Sequence, residues 1–283
     1  MKLSFLVDNK TEHSACQAEW GLSIFVESCG HKILFDTGCS DMFVRNAKAM
    51  KVDLTQAEAV AVSHGHFDHT EGMPAFTELN KTAPIYIHKN AFSVFHGTEG
   101  DEIDEWNCGL LWSEQFTESI RDRFVLTENV VKINDNMTLI GNIPDFAEYP
   151  PTEQFYKEVK KVSTDDASAI VMEPDDMSHE QFLVVEEDDH IFIISGCCHR
   201  GVLPTILTAK KHFPGKKIAA LIAGMHMYSL EDEPRKKMVQ EIIDAGVETV
   251  FPLHCTGMAA IIEFKAHMGE SCVVATAGDV YEL

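Results

Sequence analysis

The stretch AVSHGHFDHTEG, residues 61–72, gathers His64, His66, Asp68 and His69 into six positions. Imidazole and carboxylate together suit zinc, manganese or ferrous iron, and need no thiolate to complete a site. Four such donors exceed what one tetrahedral ion draws from a short loop. Two ions sharing the loop is the natural division, His64 and His66 on one, Asp68 and His69 on the other. Two divalent ions can hold a bridging hydroxide at neutral pH and polarise a phosphoryl or carbonyl oxygen. The competing reading is four solvated polar residues in a turn. Chance produces H-x-H-x-D-H in roughly 0.2% of chains of this length and histidine content, which makes the turn the weaker reading.

Such donors need rigid supports. AEAVAVSH, directly upstream, is a short apolar run that fits a buried strand ending at Ser63. Gly65 allows a sharp turn, and TEGMPAFTEL predicts a helix from near Thr70. KLSFLV, LSIFVES, HKILFDTG and APIYIHK read as strands, the third closing in the turn Asp36-Thr37-Gly38. SDMFVRNAKAM has helical spacing, with Ser40 or Asp41 as N-cap. Between about Ala91 and Thr164 the pattern is irregular, and its acid-, aromatic- and proline-rich parts read as cap-like insertions or as plain surface insertions. Inside that span, RFVLTENVVKINDNMTLIG predicts two or three strands. Later, SAIVME, FLVVEE, IFIISG, KIAALIAG, VETVFPLH and CVVATAG read as strands, and GVLPTILTAKKHF, EDEPRKKMVQEIIDAG and TGMAAIIEFKAHMG as helices. This order predicts an α/β protein with two sheets and helices outside. No repeat or linker interrupts it, so a single domain over 1–283 is expected.

The formal charge of −22 argues against nucleic acid as a partner, because phosphate backbones need a basic footprint. The N-terminus turns polar after seven residues and no apolar run reaches the length of a membrane span, so a cytoplasmic protein with no membrane partner is expected. A small-molecule substrate remains compatible with the charge; the oligomeric state is left open. The 8 cysteines contain no C-x-x-C pair and read as reduced thiols.

The chain resembles the metallo-β-lactamase superfamily. Its H-x-H-x-D-H signature stands as His64, His66, Asp68 and His69, LFDTG with Asp36 matches the first motif, and PLHC with His254 matches the last metal ligand. AEWGLS, EQFLVVEEDDHIFIISGCCHRG, AGMHM and HCTG resemble the branch named for 7,8-dihydropterin-6-ylmethyl-4-(ribofuranosyl)aminobenzene 5′-phosphate synthase. That branch joins a dihydropterin diphosphate to an aminobenzene ribotide. The resemblance implies a four-layer αβ/βα sandwich and two divalent metal ions, zinc first, with manganese or iron as alternatives. It implies His64, His66, Asp68, His69, His199 and His254 as ligands. Two departures leave choices open. Where the superfamily carries a histidine before FLVVEE, this chain has PDDMSHEQ, so Asp176, His179 or neither completes the site. The usual bridging aspartate is replaced by Cys197-Cys198-His199, which makes His199 the ligand candidate, against a helix-capping surface residue, and Cys197 either a thiolate ligand or a buried thiol. Trp20 stands where the branch often has histidine, and Cys255 reads as packing.

Asp68, anchoring one ion and orienting hydroxide, and His226 in AGMHMYS are the catalytic candidates. His226 follows a strand and would share an edge with His199 and His254 if the strands are parallel. His13, His31, His88, His96, His190, His212 and His267 read as structural or surface residues. The expected function is a dinuclear metal-dependent hydrolase of a small phosphorylated, ring-bearing substrate. The alternative is the branch's synthase chemistry, with a di-iron redox protein or an inactive binding module behind it. Phe95, Trp106, Trp112, Phe146, Tyr149 and Phe155 suit stacking on the ring, or else pack the insertions' own core.

Overall fold

The structure, a computed structural model, describes residues 1–162 and 168–283. Alternation at period two sorts the side chains of each strand between two layers. In β1 (Lys2–Val7), Leu3 and Phe5 face one way and Leu6 the other; in β2 (Ser23–Ser28), Ile24 and Val26 take the first side and Phe25 the second. The chain continues through β3 (His31–Phe35), β4 (Ala59–Ala61), β5 (Ile85–His88) and β6 (Phe95–His96). A short hairpin, β7 (Thr98–Glu99) and β8 (Glu102–Ile103), precedes β9 (Phe124–Thr127), β10 (Val130–Lys132) and β11 (Met137–Ile140). Then come β12 (Tyr156–Val162), β13 (Ser168–Pro174), β14 (Phe182–Glu187), β15 (His190–Ser195), β16 (Lys217–Gly224), β17 (Val247–Leu253) and β18 (Val280–Glu282).

The first main sheet has the order β18-β1-β2-β3-β4-β5-β9 and the second β10-β11-β14-β15-β16-β17. They face each other across Leu3, Phe5, Ile24 and Phe35 on one side and Leu139, Leu183, Ile194, Ile222 and Phe251 on the other. Helices α1 (Met42–Met50), α2 (Phe67–Thr70) and α3 (Met73–Leu79) follow strands of the first sheet. Phe43 and Ala47 of α1 and Met73 and Phe76 of α3 cover its outer face. After the short α4 (Glu114–Ser119), helices α5 (Val202–His212), α6 (Asp232–Asp244) and α7 (Met258–Met268) cover the second sheet through Ile206, Ile242 and Phe264. The result is the four-layer αβ/βα sandwich. No described helix is long and apolar enough to cross a membrane.

Some local readings change. TEGMPAFTEL is not one helix: α2 already begins at Phe67, so Asp68 and His69 are helical, and α3 restarts after Gly72 with Pro74 in its first turn. CVVATAG is apolar but pairs as no strand beyond a single bridge to Val250. It crosses between the sheets, with Val273 N bonding to Val250 O and Ala277 N to Lys10 O, so burial rather than pairing explains its composition. RFVLTENVVKINDNMTLIG gives three strands, split between the sheets as β9 and the β10–β11 pair. The flanking irregular parts form a separate sheet, β13-β12-β6, together with the β7–β8 hairpin. β3 and β4 are parallel, as are β15, β16 and β17, so their C-terminal ends emerge on common edges.

Candidate metal centre

The cluster forms where these strand ends meet. Beyond β4, Ser63 is held twice by the buried Asp36 carboxylate, N to Oδ1 and Oγ to Oδ2, both at 2.7 Å. Gly65 follows His64 because a Cβ there would meet Ala91 O at 2.4 Å. The carbonyls of the ligand turn are satisfied from the first sheet's loops: Leu22 N donates to Asp68 O, and Thr37 N and Oγ1 to His69 O. From the second sheet, Gly196 lies against this turn, where a Cβ would meet Ser63 Oγ at 2.3 Å. The buried Glu180 carboxylate accepts from His199 N at 2.6 Å and Arg200 N at 2.7 Å, which fixes the loop after β15. Asp8 accepts from His254 N at 2.9 Å, fixing the turn after β17.

Among the described residues, two groups of three donors form without a thiol, each with its atoms within 4.8 Å of one another: His64, His66 and His199, and Asp68, His69 and His254. His64 Nε2 and His199 Nε2 are 3.2 Å apart, and Asp68 Oδ2 lies 3.1 Å from His254 Nε2 and 3.8 Å from His69 Nε2. Nitrogen and oxygen donors on a tetrahedral zinc stand about 3.3–3.5 Å apart given metal bonds near 2.0–2.2 Å, so both groups fit an ion. His66 Nε2 is buried without a hydrogen-bond partner, as expected of an atom kept for a cation. On three of the rings the other nitrogen is already oriented. His64 Nδ1 meets Ser63 Oγ at 2.8 Å, His69 Nδ1 meets Asp36 Oδ2 at 2.7 Å, and His254 Nδ1 meets Asn9 Oδ1 at 2.8 Å. Such partners set ring orientation and ligand basicity.

The charge balance also favours cations. Burial, then the neighbouring imidazoles, push His64 and His199 well below the usual histidine range, and burial with His179 beside it takes His66 to about 3. These rings are therefore neutral, the form that ligates metal. Burial alone would raise Asp68, but His69 and His254 hold it lower and anionic. Burial opposes charge on His69, but Asp68 and Asp36 raise it to about 9, so a proton sits where an ion would otherwise carry the charge.

The remaining candidates separate. Cys197 Sγ belongs to donor groups with His64 and His69, with His199 and His226, and with His254 and Cys255, which places it between the two triplets. It lies 3.2 Å from His69 Nε2. Cys255 Sγ accepts from His226 N at 3.3 Å and lies beside Cys197. His226 Nδ1 faces Glu153 Oε2 at 3.2 Å, and its ring centroid is 4.4 Å from that of His199. His179 has both nitrogens engaged, Nδ1 accepting from Gly65 N and Nε2 meeting Asp175 Oδ2, so it supports the ligand loop rather than entering a donor group. Asp176 is exposed and paired with Lys157. His13, His31, His190 and His267 pair with surface acids, and His96 bonds Asp104 O and Glu158. Asn9 and Glu153 lie in no motif, and Glu180, although it opens EQFLVVEEDDHIFIISGCCHRG, carries no signal of its role there, because each reaches the site only through tertiary contact.

The insertion aromatics divide too. Phe155 covers the centre, its ring centroid 4.8 Å from both His66 and His199, and Phe95 packs on His179 at 4.3 Å. Trp106 stacks edge-on against Phe67 at 4.6 Å. Trp112 instead packs against Phe116 and Phe124 and donates Nε1 to Thr70 O. Tyr149 lies against the helical side of the second sheet.

Residues 21–125 match the model of the metallo-β-lactamase superfamily. The chain is 28% identical over 253 residues to 7,8-dihydropterin-6-methyl-4-(β-D-ribofuranosyl)-aminobenzene-5′-phosphate synthase of Methanocaldococcus jannaschii, covering 86% of this chain and 83% of that protein. Among solved structures, that of Tm1679, a metal-dependent hydrolase of the β-lactamase superfamily, superposes with a TM-score of 0.79 at 27% identity, covering 100% of this chain and 99% of that one. Zinc-bound PqqB from Methylobacterium extorquens shares the fold at 12% identity, with a TM-score of 0.54 and full coverage of both chains, at 100% each.

Proposed function

From its similarity to the metallo-β-lactamase superfamily over residues 21–125, we propose that the chain is a member of it, a dinuclear metal-dependent enzyme hydrolysing a small phosphorylated substrate. The observation that carries this reading is the pair of donor triplets sharing one loop, with His66 Nε2 buried and unpartnered in one and His254 Nε2 turned onto Asp68 Oδ2 in the other. Ions bound there would supply Lewis acidity toward oxygen anions and acidify water near neutral pH. The chain's own residues do the rest. Asp68 is held anionic between His69 and His254 of its own triplet and orients them through Oδ2. His226, with Nδ1 turned to Glu153, keeps Nε2 as the nitrogen that can exchange a proton with a departing oxygen. Phe155 and Phe95 exclude water from the His66 side. Zinc is the preferred ion for three imidazoles, with manganese or iron as alternatives.

The second reading is transfer rather than hydrolysis, favoured by the similarity to the M. jannaschii synthase. Both chemistries use the same centre to stabilise oxygen anions and differ in what attacks. Elemental analysis followed by a panel of phosphodiesters, thioesters and pterin diphosphates tests the proposal. Near-stoichiometric metal with turnover of a phosphoester in water alone supports hydrolysis. Turnover only when an aminobenzene acceptor is present moves the assignment to the synthase. A protein that takes up no metal after reconstitution overturns both.

A further inference from the structure

Two large aromatic side chains stay exposed beside a centre whose donors are buried. Trp20 is 47% exposed and Tyr228 50%. Their rings meet edge to face at 5.9 Å. Each also touches a histidine of the site, Trp20 meeting His254 at 5.1 Å and Tyr228 meeting His226 at 5.4 Å. Neither position is slack. Gly21, at φ +152°, follows Trp20 where a Cβ would meet Asp68 O at 2.6 Å. Gly21 N donates to Asn9 Oδ1 at 3.1 Å, the same oxygen that orients His254. Behind Tyr228, Gly257 at φ +79° leaves room that a Cβ, 2.7 Å from Tyr228 Cα, would fill. Two exposed rings are therefore fixed in register with the metal ligands.

The neighbouring cations are already taken. Lys10 pairs with Asp8, Lys157 with Asp175 and Asp176, and Arg200 with Asp145. An anionic group entering here must find its counter-charge at the metals, while the rest of the molecule meets aromatic surface. We propose that Trp20 and Tyr228 form a ring-binding rim, so that the substrate is a small molecule with a flat ring and one anionic group reaching the metals. The inference rests on the metal-centre reading above. It moves ring recognition from the insertion, where Trp112 is committed to packing, to two loops of the sandwich itself.

The test is calorimetric binding of phenylphosphonate and methylphosphonate to the metal-loaded protein. Both offer the same anion and only one offers a ring. Phenylphosphonate should bind about 10-fold tighter, the value of one good aromatic contact. Trp20→Ala and Tyr228→Ala should each bring the two close to parity while leaving methylphosphonate binding and metal content unchanged. Trp20→Phe, which retains a ring, should preserve most of the preference. Equal binding of the two probes by the wild type, or a preference that survives both alanine variants, overturns the rim. Metal-loaded protein that binds neither probe fails at the earlier step, the anion on the metals, and takes the rim with it.

Discussion

His66 buries an Nε2 that has no partner, and an unsatisfied polar group of this kind costs about 1–3 kcal/mol unless something binds it. His66→Ala should therefore lower bound metal well below wild type and abolish turnover, because removing a ligand disturbs the geometry of the whole site. His190, paired with Asp189 at the surface, is the matching control, and His190→Ala should leave both unchanged. Like results from the two variants would sink the assignment. The same rings predict a pH dependence. His64, His66 and His199 are all depressed, so the folded state prefers them neutral. Their contribution is complete above the ordinary histidine value of about 6.5 and is lost as pH falls below it. His69 has the opposite sign. Raised to about 9, it contributes fully below the ordinary value and loses that contribution as pH climbs through about 9. Between about pH 6.5 and 5, then, the contribution of His69 is constant while those of the three depressed rings fall, together with that of His88, which burial also lowers. The urea midpoint of chelated protein should fall steadily across that interval, and a flat midpoint would contradict the burial of three neutral imidazoles.

At the scale of the element, the loop holding Asp68 and His69 works because backbone presses on backbone. Gly72 separates α2 from α3, and a Cβ there would stand 2.1 Å from Thr37 O and 2.7 Å from Ser40 O. Neither carbonyl is a flexible side-chain end. Gly72→Ala should destabilise by about 1–3 kcal/mol, as overpacking does, and should reduce metal content, because Thr37 N and Oγ1 hold His69 O. Wild-type melting and wild-type metal in this variant would show that the turn is not what positions the ligands. This scale also marks what the sequence could convey. The spacing of His64, His66, Asp68 and His69 was legible because all four sit on one loop. The strands behind them were legible because burial on one or both faces writes a period of two or an apolar run. Glu180 and Asn9 were not, since Glu180 acts on His199 from 19 residues away and Asn9 on His254 from 245. CVVATAG looked like a strand because it is buried, and only its hydrogen bonds, divided between the sheets, show that it is not one. Trp112 could not be told from a ring-binding residue until Phe116 and Phe124 were seen around it.

Across the whole molecule, each donor triplet takes two residues from the first sheet's loop and one from the second sheet. His199 comes from the turn after β15 and His254 from the turn after β17. The sheets are otherwise joined by apolar packing, Phe5 against Phe251 for example at 6.0 Å, and by a few polar links such as His254 N to Asp8 and Asn136 Nδ2 to Ser28 Oγ. Ions bound there would therefore tie the two halves at the edge where that packing ends and the interior turns polar. An ion that binds only the folded state at about 1,000 times its dissociation constant adds about 4 kcal/mol. A chain of this size gains about 2 °C in melting temperature per kcal/mol. Removing the ions should accordingly lower the melting temperature by on the order of 10 °C. Restoring zinc should bring it back. His254→Ala deletes the second sheet's donor from one triplet alone, so its chelation shift should be smaller than that of wild type, with the remaining part owed to His64, His66 and His199. If chelation strips the ions, as elemental analysis would show, and the melting temperature does not move, the ions do not bridge the halves. The apolar interior would then hold the sandwich together without them.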